Sequence, residues 1–130
     1  MPSLADTNTA WPKEIRLRKD KAALHVAFES GEAFEFPAEF LRVHSPSAEV
    51  QGHSPSERKT VAGKRNVKIV EVQPVGNYAV RLVFDDHHAT GIFSWTYFLE
   101  LGHGQERMWR DYLADLDAKG LAREPPARLS

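Results

Sequence analysis

The spacing of apolar residues shifts from mostly strand-like to helical at Ser94, and that shift constrains the fold of this chain more than any other feature. From Ile15 to Phe36 the period is two. Ile15 and Leu17 stand between Glu14, Arg16 and Arg18, Leu24, Val26 and Phe28 alternate with polar or small residues, and Phe34 and Phe36 follow. Alternation of this kind marks half-buried strands. Lys19-Asp20-Lys21 and Ser30-Gly31 punctuate it as turns, so the first quarter predicts a three-stranded meander. Pro37 suits the first position of a short helix over Ala38–Val43 with Phe40 and Leu41 turned inward, and Ser45-Pro46-Ser47 ends it. Val67 to Val72 reads as a further strand, Pro74-Val75-Gly76-Asn77 as a turn, and Tyr78, Val80, Leu82 and Phe84 as the clearest strand of all. Asp85-Asp86-His87-His88 turns the chain and Gly91-Ile92-Phe93 returns it.

After Ser94 the period is 3.6. Ser94 caps a helix carrying Trp95, Phe98 and Leu99, Gly102-His103-Gly104 breaks it, and a last helix runs from Gln105 to Lys119. Trp109, Tyr112, Leu113 and Leu116 then form its core-facing stripe, and Gly120 suits its C-terminal cap. Strands first and helices after predict an α+β fold: a small, largely antiparallel β-sheet with helices packed on it, as a single domain.

A chain of 130 residues carries one such domain, read here as 13–120 with a flexible N-terminus (1–12) and a flexible C-terminal tail (121–130). Apolar residues at 42% against 27% charged supply an ordinary globular core. Seventeen basic and eighteen acidic side chains argue against a general nucleic-acid binder or a polybasic membrane protein. The chain has no cysteine, which excludes disulfides, thiolate zinc, thiolate iron–sulfur ligation and thiol catalysis, and fits a reducing compartment. Residues 1–8 lack the basic and apolar regions of a signal peptide, and no apolar run approaches the ~20 residues of a membrane span, so the chain reads as cytoplasmic.

Catalytic signatures are missing. There is no Gly-x-Ser-x-Gly elbow, Arg58 stands where a phosphate-cradling loop ending at Gly63-Lys64 needs its first glycine, and Gly102-His103-Gly104 lacks the third glycine of a dinucleotide fingerprint. No histidine is followed two residues later by Asp or Glu, as the usual iron-oxygenase triad requires.

Two groups of residues carry candidate chemistry. Residues 44–65 form a polar segment of unusual length for a small domain, and such segments are often functional. His44, Glu49 and His53 lie on it, and Asp86 and His88 lie in the Asp85–His88 turn; imidazoles with carboxylates suit zinc or iron(II). Against this, Asp-rich turns are common for backbone reasons alone. Arg58, Lys59, Lys64, Arg65 and Lys68 fall within eleven residues that contain no acid, a run that suits an anion or an acidic protein partner. Without interleaved aromatics it argues little for nucleic acid. Arg42 with Glu39 and Glu49 reads as structural pairing, and Trp95, Tyr97, Trp109 and Tyr112 as core aromatics.

Three blocks occur together: Phe36-Pro37-Ala38-Glu39-Phe40-Leu41-Arg42-Val43-His44-Ser45-Pro46-Ser47-Ala48-Glu49-Val50-Gln51-Gly52-His53, then Gly63-Lys64-Arg65-Asn66-Val67, then Val75-Gly76-Asn77-Tyr78-Ala79-Val80 leading to Phe84-Asp85-Asp86 and Ser94-Trp95. Over residues 13–102 this resembles the DUF971 family, the γ-butyrobetaine hydroxylase-like N-terminal domain. In the hydroxylase that domain precedes a separate catalytic unit holding iron and 2-oxoglutarate, for which this chain has no room and no motif, so the resemblance does not imply hydroxylase activity. Larger relatives fuse the domain to iron–sulfur carrier ATPases, which implies a link to iron–sulfur protein maturation through a protein partner. The hydroxylase domain also holds a zinc ion on three cysteines and a histidine. Residue by residue, the cysteine positions fall on Ser45, Ser47 and Val50 and the histidine on His88, so the resemblance implies that this zinc site is lost.

Two readings follow. The first is a non-catalytic accessory domain that contacts a partner through residues 44–65, the resemblance implying one from the iron–sulfur assembly machinery. The alternative is a small protein binding zinc or iron through His88 with His44, His53, Glu49 or Asp86.

Overall fold

The computed structural model describes residues 11–51 and 59–125. Strands β1 (Pro12–Leu17), β2 (Ala23–Phe28) and β3 (Ala33–Pro37) form one antiparallel sheet in that order. Helices α1 (Ala38–Val43) and α2 (Ala48–Gln51) follow. Strands β4 (Ile69–Val75), β5 (Ala79–Phe84) and β6 (Ile92–Ser94) form a second three-stranded antiparallel sheet, and helix α3 (Trp95–Ala118) ends the series. The fold is α+β, with its antiparallel strands divided between two sheets.

The alternating residues converge on one core. Leu24, Val26 and Phe28 of β2, Phe36 of β3 and Phe40 and Leu41 of α1 meet Val80, Leu82 and Phe84 of β5, with Phe98 and Leu101 of α3 completing it. Phe98 stacks against both Phe36 and Phe93, at 5.8 and 5.5 Å between ring centroids, so this one α3 side chain bridges β3 and β6. A second, smaller cluster joins Val43, Tyr112 and Leu116.

Ser94 caps α3 as expected, its hydroxyl accepting the Tyr97 amide at 3.1 Å. The expected break at Gly102-His103-Gly104 does not occur: α3 runs unbroken from Trp95 to Ala118. A Cβ on Gly102 would stand 2.7 Å from the Phe34 ring, so the glycine lets the helix lie directly on β3. That contact offsets the ~1 kcal/mol of helix propensity a glycine forfeits. Leu113, placed in the core stripe by its spacing, is exposed, while Tyr112 and Leu116 are buried. Pro74 and Val75 extend β4 instead of turning, and Tyr78 lies in the turn at 56% exposure.

Gly120 closes α3 at φ +67°. Its amide reaches Asp117 O, and the Leu121 amide reaches Leu116 O at 2.8 Å, a Schellman end. Residues 121–125 then run back along the body. Ala122 O and Arg123 O accept the amides of Gly63 and Arg65 at 2.9 and 3.0 Å. Arg123 grips Glu39 through two bonds of 3.0 and 2.8 Å and lies over the Trp109 ring.

Candidate functional site

The Asp85–His88 turn faces the segment that joins α1 to α2, and the polar residues of both close on one another. The turn is built by the backbone: the Phe84 amide donates to His88 O and the His87 amide to Phe84 O. Its third residue takes a left-handed conformation, occupied here by His87 at φ +73°. Glycine fits that position without the strain a Cβ brings. His87→Gly is expected to raise stability by roughly 0.5–1 kcal/mol, checked by urea unfolding.

The turn delivers His88 into the interior with its side chain 3% exposed. Its Nε2 lies 2.9 Å from Ser45 Oγ and its Nδ1 lies 3.0 Å from Glu49 Oε1. With Glu49 ionised, Nδ1 donates to the carboxylate and Nε2 accepts the Ser45 hydroxyl proton. Two residues on, Ser47 Oγ pairs with Thr90 Oγ1 at 2.7 Å and accepts the Glu49 amide. Gln51 Nε2 donates to Ser45 O. Burial, followed by the positive charge of Arg42, lowers the His88 pKa below its ordinary 6.5, although Glu49 and Asp86 pull the other way.

Asp86 organises the charged half of the cluster. Its Oδ2 accepts Arg42 Nε at 2.8 Å and lies 2.7 Å from Lys64 Nζ, while its Oδ1 accepts the His88 amide at 3.1 Å. Burial pushes the carboxyl up, but Lys64, the His88 amide and Arg42 outweigh it and hold the pKa at about 2. Arg42 is therefore not paired with Glu39 or Glu49, as helical spacing suggested. It reaches across to the turn, and its Nη1 is buried without a hydrogen-bond partner among the described residues.

Ser45, His88 and Glu49 stand in the hydrogen-bond order of an acyl-transfer triad, which no local spacing in the sequence reveals. Their exposure is inverted. A nucleophile must meet substrate while its carboxylate is sheltered. Here Ser45 is fully buried, Gly91 backs onto its hydroxyl, and the Glu49 side chain is 62% exposed. The arrangement fixes loops and offers no attacking group.

The residues considered for metal are dispersed among other tasks. His44 is buried with Nδ1 2.9 Å from Phe40 O and its ring 4.5 Å from that of Phe40, facing Tyr112. Asp86 is taken by two cations, and Glu49 by His88. His53 and Arg58 lie outside the described residues. Among the described residues no three His, Asp or Glu side chains gather to hold a metal ion. The basic run divides too. Lys64 is committed to Asp86, Arg65 pairs with Glu124 at 2.5 Å, and Lys59 is exposed.

Lys59 stands on the rim of a groove of about 1120 Å³ between residues 59–61 and α3. Val43, Val61, Leu101 and Met108 supply apolar walls, and Arg107 and Asp111 add charges of both signs. Tyr112 ties the two sides, its hydroxyl donating to Val61 O at 2.6 Å. No helix among the described residues is long and apolar enough to cross a membrane.

The chain is a small α+β domain whose polar cluster braces the α1–α2 segment against the turn after β5. Its family follows from comparison. Residues 15–99 match the family described as γ-butyrobetaine hydroxylase-like, N-terminal, and the chain belongs to it. The fold is similar to that of two proteins solved by NMR. One is 44% identical with a TM-score of 0.77, covering 92% of this chain and 94% of that one. The other is 42% identical with a TM-score of 0.76, covering 92% and 89%. A crystal structure from Acidithiobacillus ferrooxidans, of a protein with unknown function in the DUF971 family, is 38% identical with a TM-score of 0.60 over 73% of this chain and 96% of that one. No curated protein matches the chain.

Proposed function

We propose that the chain is a non-catalytic, cytoplasmic accessory domain that docks onto a protein partner through the groove between residues 59–61 and α3. The reading rests on one observation: among the described residues the assembled hydroxyl–imidazole–carboxylate set is closed to substrate, while the groove beside it is open. Apolar walls under a rim of mixed charge suit a protein segment better than a nucleic-acid backbone, which needs cations of one sign. The family's fusions to iron–sulfur carrier ATPases supply the class of partner. A chain without cysteine gives no thiolate to a cluster, so the partner carries the cofactor and this domain positions the partner.

The test is titration of isotope-labelled protein with a carrier ATPase of that class, read as amide shift changes. Changes confined to residues 59–61 and the Leu101–Lys119 face of α3 are the expected result. Lys59→Glu combined with Arg107→Glu is expected to weaken binding by about tenfold, because rim charges set encounter and register. Lys64 is not a fair probe, since its loss releases Asp86. Shifts centred on the outer face of β4–β6, or none at saturating ATPase, would sink the proposal.

A further inference from the structure

The resemblance to the hydroxylase domain implies a zinc ion where Ser45, Ser47, Val50 and His88 stand. These residues do not fit zinc: two neutral hydroxyls and a valine replace three thiolates, leaving one imidazole from the original four ligands. The local geometry shows what took the metal's place. We infer that Ser45, Ser47, Glu49, His88 and Thr90 form a metal-independent clasp that ties the α1–α2 segment to the turn after β5, the tether a zinc ion would otherwise make.

Each former ligand position is closed by a bond within the protein or by packing. Ser45 Oγ lies 2.9 Å from His88 Nε2, the nitrogen left over once Nδ1 engages Glu49 at 3.0 Å. Ser47 Oγ is spent on Thr90 Oγ1 and the Glu49 amide. Val50 is 2% exposed and contributes packing. Both His88 nitrogens and both hydroxyls therefore have partners, so a metal would have to displace hydrogen bonds that are already made. Four polar bonds cross or brace the same two segments, at sequence separations of 43 for Ser45–His88 and Ser47–Thr90. The clasp also carries a sign of its own. A metal site tightens when its ligands lose protons, whereas this one depends on the Ser45 hydroxyl and one imidazole proton.

The closing experiment uses untagged protein of natural sequence and four variants. The natural protein is expected to melt at the same temperature with chelator and with one equivalent of zinc or iron(II). Ser45→Ala is expected to lower the midpoint by roughly 4–8 °C, because it strands a buried imidazole nitrogen. Glu49→Gln, which keeps an acceptor at an exposed position, is expected to shift it by less than about 2 °C. The triple change Ser45→Cys, Ser47→Cys and Val50→Cys is expected to recover cobalt binding with thiolate charge-transfer absorption, abolished by adding His88→Ala. A zinc-dependent rise in the melting temperature of the natural protein overturns the inference. So does a Ser45→Ala variant that melts normally, or a folded triple-cysteine variant that takes no cobalt.

Discussion

Arg123→Met is expected to lower the free energy of unfolding by about 3 kcal/mol, although Arg123 lies beyond the last helix. The reason is what it leaves behind. Glu39 is 5% exposed, and both of its oxygens are held by the Arg123 guanidinium at 3.0 and 2.8 Å. Removing one partner from a buried pair costs about 3–5 kcal/mol, mostly through the charge left without compensation. Arg123 itself is 31% exposed, which places the effect at the lower end. Its guanidinium also lies 5.1 Å from the centre of the Trp109 ring, a contact that methionine replaces only in part. Two further changes separate charge from shape. Arg123→Lys keeps the charge but loses the two-pronged grip, so it should fall between the extremes. Glu39→Leu with Arg123→Met removes both ends and should regain most of the loss, because no buried charge remains. Urea unfolding of the four proteins measures all of this. A loss below about 1 kcal/mol for Arg123→Met would mean that Glu39 finds water when its partner goes.

That ion pair shows where the sequence stops informing. Alternation at Leu24, Val26 and Phe28 and at Val80, Leu82 and Phe84 locates β2 and β5, because a strand's two faces are written in adjacent letters. The caps at Ser94 and Gly120 are legible for the same local reason. Gly102 misleads because its meaning lies in Phe34, 68 positions earlier, whose ring fills the space a side chain would need. Glu39 and Arg123 are 84 positions apart, and Arg42 and Asp86 are 44 apart. Helical spacing offers Arg42 nearer carboxylates at Glu39 and Glu49, and nothing local says that it will bypass them.

The candidate site divides along the same line. His88 pairs through its ring with Glu49 and through its amide with Asp86, but the neighbours of each decide what it does. Placing Ser45 on one side of His88 and two cations on Asp86 turns a possible ligand set into a brace. His44 sits only one residue from Ser45, yet it points its ring at Phe40 and Tyr112 and serves the second core cluster. Residue type limits which chemistry is available, and the tertiary partners select among what remains.

Asp86 gives the second large effect. Asp86→Ala is expected to cost about 3–4 kcal/mol, since it strands Arg42, 12% exposed and already short of one hydrogen bond, together with Lys64 and the His88 amide. Acid should reproduce this loss in the natural protein. The Asp86 pKa is about 2 in the fold against 3.8 unfolded, so the folded state binds fewer protons between those values. Its stabilisation is complete above pH 3.8 and disappears as the pH falls toward about 2. His88 adds a separate component at higher pH. Its pKa is lowered from 6.5, so its share is complete above that value and is lost as the pH falls through the lower folded pKa. Urea unfolding of the natural protein, Asp86→Ala and His88→Gln across this range should resolve the two. The gap between the natural protein and Asp86→Ala should stay open at pH 5 and close below pH 3.8. His88→Gln should flatten only the slope that begins near pH 6.5. A gap for Asp86→Ala that persists unchanged to pH 2 would mean that the carboxylate acts through its shape and hydrogen bonds, with its charge already neutralised.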